Sequence, residues 1–331
     1  MINKFYVVLV AIGLGILTIN GCSQRSTETS TTETLQIIVS ILPQKYFVER
    51  IGGKYVSVEV MVEPGASPAT YEPKPQQLRM LSQADAYVSI GVPFENAWMN
   101  RITAANREML IVDTTQGIER MSMAAQIHAD EAEIQSKKGK NPDPHIWLSP
   151  KLVKIQAQTI YQALIQLTPQ QTDIYQANLK SFLADIETLD QELQASLRGL
   201  KQGKFMVFHP AWGYFARDYG LEMIPIEVGG TEPSGAELAT LIAEAKEENI
   251  QFIFAQPEFR TKDAETIAQE IGGKVLLLDP LAPDWLENMR YVSQTLAQVL
   301  SQNQNLYWRS TPEITDSGSF CPLRETIALK P

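Results

Sequence analysis

Cysteine is almost missing from this chain: there are two in 331 residues, Cys22 and Cys321. Two cysteines at opposite ends cannot staple a domain of this size, so its stability has to come from a buried core. An excess of basic charge is missing as well, since 28 Lys and Arg against 38 Asp and Glu leave a formal charge of −10. That balance argues against a nucleic-acid partner and is compatible with binding a cation. No apolar run reaches the ~20 residues that a membrane-crossing helix requires. Enzyme signatures are lacking too: there is no His-Glu-x-x-His, no Gly-x-Ser-x-Gly and no Walker A loop. A mononuclear zinc hydrolase would need a general base that the sequence does not offer, so no enzymatic activity is expected.

What is present begins with an export signal. Met1 to Lys4 carries one positive charge, Phe5 to Ile19 is apolar, and Ile19-Asn20-Gly21-Cys22 closes the run. The run is too short for a spanning helix and ends in a small residue, so residues 1–21 are predicted to be a signal peptide. The tetrapeptide resembles a bacterial lipobox, which implies cleavage before Cys22 and lipidation of its sulfur. Residues 22–34, rich in Ser, Thr, Glu and Gln, have nothing to bury and are expected to be a disordered tether from a membrane surface.

Beyond the tether, short β-rich runs alternate with helical stretches. The first four predicted strands are Leu35 to Ile41, Val56 to Val62, Ala86 to Ile90 and Met109 to Val112. The second four are Phe205 to Phe208, Glu222 to Ile226, Phe252 to Ala255 and Lys274 to Leu278. This is the pattern of an α/β protein with two lobes, each a mainly parallel sheet flanked by helices. The expected N-terminal lobe is 35–169 and the C-terminal lobe 201–331. Between them, Tyr175, Leu179, Phe182, Ile186, Leu189, Leu193, Leu197 and Leu200 recur in steps of three and four. One long rigid helix over 170–200, about 45 Å at 1.5 Å per residue, would lie along both lobes. A coiled-coil seam would give the same stripe, but the position between two α/β halves favours the linker. With the stripe used in this way, a monomer is expected.

Two of the three histidines stand where an α/β protein gathers ligands. His209 follows the run Phe205 to Phe208, at the carboxyl end of a strand, and Asp279 follows Lys274 to Leu278 in the same way. His145 lies in Asp143-Pro144-His145-Ile146-Trp147-Leu148. Two imidazoles and a carboxylate make a borderline-soft donor set that suits Zn²⁺, and less specifically Mn²⁺ or Fe²⁺. Each residue also has a plainer reading, as a hydrogen-bonded loop histidine or a turn-starting Asp-Pro. Trp147, Trp212, Tyr214 and Phe215 cluster around these positions in sequence, as a dry shell around an ion or as the apolar floor of a cleft.

The ordered segments Ile38 to Pro43, Tyr71-Glu72-Pro73-Lys74-Pro75, Asp143 to Leu148, His209 to Ala216, Glu232 to Leu238 and Leu278 to Leu281 add a second line of argument. Together they resemble the cluster A-I metal-binding lipoproteins, the zinc- and manganese-binding components of ABC importers. The likeness runs from about Leu35 to about Val299. It implies two α/β lobes flanking a rigid helix, with a transported metal between them held by His145, His209 and Asp279. It also implies a permease and its ATPase as partners, and an extracytoplasmic, membrane-anchored location. Histidine at 209, rather than glutamate, is similar to the zinc branch.

The pattern breaks at one position. The family's first histidine ligand falls at Ala69, in Ser67-Pro68-Ala69-Thr70-Tyr71-Glu72, and a methyl group cannot bind metal. Candidates for the open position are water and His128, which lies in a polar stretch where the zinc branch carries a His-rich loop. Alternatives that keep the fold are a different metal, a metal chelate, or a surface interaction protein.

Overall fold

Eight short runs of β-branched and apolar residues pair into two separate four-stranded sheets. The computed structural model describes residues 34–123, 142–200, 203–227, 231–258 and 262–310. The predicted signal peptide, Cys22, all but the last residue of the expected tether, His128 and Cys321 lie outside these residues. The first sheet holds β1 (Leu35–Val39), β2 (Val56–Val60), β3 (Ala86–Ser89) and β4 (Leu110–Asp113). The second holds β5 (Lys204–Val207), β6 (Glu222–Pro225), β7 (Phe252–Ala255) and β8 (Lys274–Leu277). Every pair is parallel, and the strand orders are β2-β1-β3-β4 and β6-β5-β7-β8. Both sheets therefore reverse their winding direction beside their first strand, between β1 and β3 and between β5 and β7. Chain segments leaving those strand ends diverge and open a crevice.

Strand ends shift by a residue or two from the sequence reading because pairing, not apolarity, sets them. Ser40 is a case in point: its amide donates to Gln44 Oε1 at 3.0 Å, and the ladder closes one residue earlier. Helices α1 (Leu42–Gly52), α2 (Pro75–Leu81), α3 (Pro93–Ala105) and α4 (Pro150–Leu167) belong to the first lobe. Proline opens three of these four helices, where its missing N–H costs nothing, and Pro43 follows Leu42 in the fourth. After the linker come α6 (Gly213–Tyr219), α7 (Gly235–Glu247), α8 (Lys262–Glu270) and α9 (Trp285–Ser310). Ser234 starts α7 with a capping box, its hydroxyl accepting from Glu237 N while Glu237 accepts from Ser234 N at 2.7 Å. Among the described residues no helix is long and apolar enough to cross a membrane.

The linker is shorter than its apolar stripe. A 3-10 turn at Pro169–Gln171 leads into α5 (Thr172–Ser196), and Leu197 and Leu200 complete the buried face beyond the helix end. Gly199, at φ 85°, takes the left-handed conformation that turns the chain toward β5. α5 packs against α1 and α4 of the first lobe and α9 of the second. At their junction Phe47 of α1 meets Phe182 of α5 at 5.9 Å and Trp285 of α9 edge-on at 5.3 Å. All three side chains are fully buried. Aromatic burial of this kind contributes roughly 2–3 kcal/mol per ring.

Hydrogen bonds across the lobes add to that junction. The indole of Trp147 donates to the carbonyl of Pro280 at 2.7 Å, and the indole of Trp285 donates to the carbonyl of Trp147 at 2.7 Å. Trp147 is thus held at both ends by the second lobe. A spine packed and bonded in this way permits little relative rotation, so rearrangement on ligand binding falls to loops at the strand ends.

Candidate metal centre

The crevice beyond the strand ends holds a chamber of about 530 Å³. His145 and Trp147 enter it from the first lobe, His209, Gln256 and Glu258 from the second, and Ala69 faces the same space. His145 is placed by the Asp143-Pro144 turn and the 3-10 turn at Ile146–Leu148. His209 follows β5 by two residues, and Gln256 and Glu258 follow β7 by one and three.

The two imidazoles are neighbours. His145 Nε2 and His209 Nε2 are 3.3 Å apart, with ring centroids at 5.2 Å. The other nitrogen of each ring meets a buried carboxylate: His145 Nδ1 lies 2.7 Å from Asp143 Oδ1, and His209 Nδ1 lies 2.5 Å from Glu227 Oε2. A carboxylate only accepts, so each Nδ1 carries the proton and each Nε2 presents a lone pair. Two facing lone pairs repel unless a proton or a metal ion lies between them. Two nitrogens at 2.0–2.1 Å from one tetrahedral zinc are separated by about 3.3–3.4 Å, which is the spacing found here. Burial pushes the His209 imidazolium down from its ordinary pKa, with Glu227 opposing the shift and His145 reinforcing it. A neutral imidazole at physiological pH is the form that binds metal.

The carboxylates that orient these rings are themselves fixed. The Asp143 amide donates to the carbonyl of Met121 at 2.8 Å, and the Tyr214 hydroxyl donates to the Asp143 carbonyl at 2.9 Å. Gly213 lets α6 approach Asp143 closely, since a β-carbon there would stand 3.2 Å from Asp143 Oδ2. Glu227 leaves β6 and its amide donates to the carbonyl of Phe208 at 3.0 Å, beside His209. Sequence reading missed Glu227, although a carboxylate just past a strand in the same sheet as His209 was a usable signal.

Of the three residues the sequence pointed to, the structure brings His145 and His209 together. Asp279 stands apart from them. It accepts from Leu281 N at 2.7 Å, shares a side-chain hydrogen bond with Glu258, and lines an adjoining recess with Glu63 and Gly65. Burial raises both carboxyls of that pair, Glu258 to about 7. Among the described residues no three His, Cys, Asp or Glu side chains converge on one metal position. Trp147 lines the chamber, whereas Trp212, Tyr214 and Phe215 are buried in the core behind it. Glu72 is exposed and outside the chamber wall.

Two parallel-sheet lobes on a common helix, with ligand-bearing loops converging between them, define a substrate-binding protein of the transport type. The chain belongs to the family described as zinc-uptake complex component A, periplasmic, whose model matches residues 37–299. It is similar to the high-affinity zinc uptake system protein ZnuA of Bacillus subtilis (strain 168), with 27% identity over 283 residues, 82% of this chain and 88% of that one. A crystal structure of ZnuA at 50% identity superposes with a TM-score of 0.75 over 81% of this chain and all of the other. A ZnuA deletion mutant with zinc bound is similar at 50% identity and TM-score 0.74, covering 81% of this chain and 98% of that one.

Proposed function

We propose that this chain captures a divalent transition metal, zinc first and manganese second, and delivers it to the permease and ATPase of an ABC importer. The observation that carries the reading is the 3.3 Å separation of two Nε2 atoms whose rings are each oriented by a carboxylate. Asp279, the carboxylate that the resemblance implies, is the third donor of this reading. We read the chain as a carrier rather than an enzyme because the family whose model it matches is a transport component.

Zinc titration against a competing chelator tests this reading. One ion per chain is expected, with affinity level from pH 8 to the ordinary histidine range. Below it, protons compete for Nε2, and binding should weaken by about tenfold per pH unit for each competing proton. Because the His209 pKa is lowered, its loss comes at a more acidic pH than for a free imidazole. Affinity unchanged down to pH 4 would rule out imidazole ligation. The lipobox-like segment further supports a lipid anchor at Cys22, outside the cytoplasm. Cys22→Ser should move the protein from the detergent phase to the aqueous phase of a detergent partition, and equal partitioning of both forms would remove the anchor.

A further inference from the structure

We infer that Gln156 and Gln256 are positioning residues of the metal site, one in each lobe, which hold the backbones carrying His145 and His209 at the spacing one ion needs. The inference rests on the metal-capture reading above and concerns residues that need not touch the ion. Gln156 lies on α4 and is 0% exposed, in the same buried face as Val153, Ala157 and Ile160. Its side-chain amide donates to the carbonyl of Ile146, the residue after His145, at 3.3 Å. Gln256 is 2% exposed and follows the last residue of β7. Its amide donates to the carbonyl of His209 itself, also at 3.3 Å. A carbonyl only accepts, so the end of each amide that faces it is the N–H end.

That orientation leaves a buried oxygen behind in each side chain. Neither Oε1 has a hydrogen-bond partner among the described residues. A buried acceptor without a partner lowers stability, and an apolar side chain of the same length would avoid it. The hydrogen bonds gained do little to offset this. Both are long, and the His209 carbonyl already accepts from Ala211 N at 2.8 Å. Two glutamines from distant parts of the chain thus keep the same unfavourable oxygen and make the same kind of contact. What the two contacts share is the backbone at a histidine. Asp143 and Glu227 orient the rings through Nδ1, but a ring can keep its orientation while its loop drifts. The glutamines tie one loop to α4 and the other to the end of β7, and so hold the two Nε2 atoms at 3.3 Å.

The test uses the full chain and replaces each glutamine by methionine, which is unbranched, similar in length and adaptable in a core. Three quantities are read: the thermal midpoint of the metal-free protein, Zn²⁺ affinity against a competing chelator, and the visible spectrum with Co²⁺. Tetrahedral Co²⁺ absorbs far more strongly than six-coordinate Co²⁺, so the spectrum reports the geometry of the donors. Gln156→Met and Gln256→Met are each expected to keep or raise the midpoint, because the unpaired oxygen is gone. Zinc affinity should fall about tenfold, as for other groups that orient a metal ligand, and the Co²⁺ bands should weaken as the tetrahedron opens. A role in core packing alone gives the opposite pattern, a lower midpoint with affinity and spectrum unchanged. That pattern overturns the inference, as does wild-type affinity and spectrum at any midpoint. A variant that fails to fold overturns it for that residue, since stability is then its role. His209→Ala separates the two levels. If it abolishes binding while both methionine variants match wild type, only this inference fails; if it too is neutral, the metal-capture reading fails first.

Discussion

Zinc affinity is expected to fall at least about a hundredfold when His209 is replaced by alanine. Structural zinc sites bind with apparent free energies of about 10–16 kcal/mol shared among four ligands, so one ligand accounts for roughly 3 kcal/mol, or two powers of ten. The substitution removes more than a donor. Glu227, buried and 2.5 Å from Nδ1, loses its partner and becomes an uncompensated carboxylate in the chamber wall. His145→Ala should cost a similar amount by stranding Asp143, which is 1% exposed. The double variant should lose less than the sum, since the first substitution already dismantles the pair. The fold should survive, because the backbone of His209 is held by hydrogen bonds that alanine retains. Equilibrium competition with the chelator, with circular dichroism to confirm folding, measures the effect. A loss smaller than about fivefold in both single variants would mean that the 3.3 Å contact is a hydrogen bond between histidines and not half of a metal site.

Much of this site could be read before the structure was known, and the limit is instructive. His145 and His209 stand out because strand ends in open parallel sheets are where ligands gather, and the sequence marks a strand end by the last apolar residue. The sheet order is not marked in that way. Glu227 lies 18 residues beyond His209, and only the pairing of β5 with β6 brings the two side chains together. Gln256 and Glu258 follow β7, and that strand sits beside β5 because the sheet reverses there. Ordinary loop residues in sequence thus become chamber wall in space. Asp279 shows the converse: it follows a strand end like His209, but β8 is the edge strand of its sheet, and its carboxyl turns to Glu258. The linker was legible from its stripe, yet periodicity could not reveal that the helix stops at Ser196. Leu197 and Leu200 continue the same buried face through a turn.

Ala69→His is expected to tighten zinc binding, by about ten- to a hundredfold. Ala69 lines the chamber shared by His145 and His209, and its own side chain offers no donor. The residue is exposed on the segment Ser67 to Thr70, and its amide donates to Ser67 Oγ at 3.2 Å, so an imidazole can be accommodated without displacing core. A third nitrogen would replace a weaker donor on an ion that favours nitrogen ligands. The gain is partial because a long side chain on a loop loses conformational freedom when it is ordered. Two companion measurements identify the donor that is displaced. His128→Ala should leave wild-type affinity unchanged if water occupies the position, and a clear loss would hand that role to His128. In the Ala69→His chain, zinc binding should also fall more steeply on acidification than in the wild type, since protons then compete for three imidazoles. If Ala69→His gives no gain and the wild-type protein takes up no zinc, the chamber of about 530 Å³ serves a larger ligand, and a metal chelate carrying its own donor atoms becomes the reading to test.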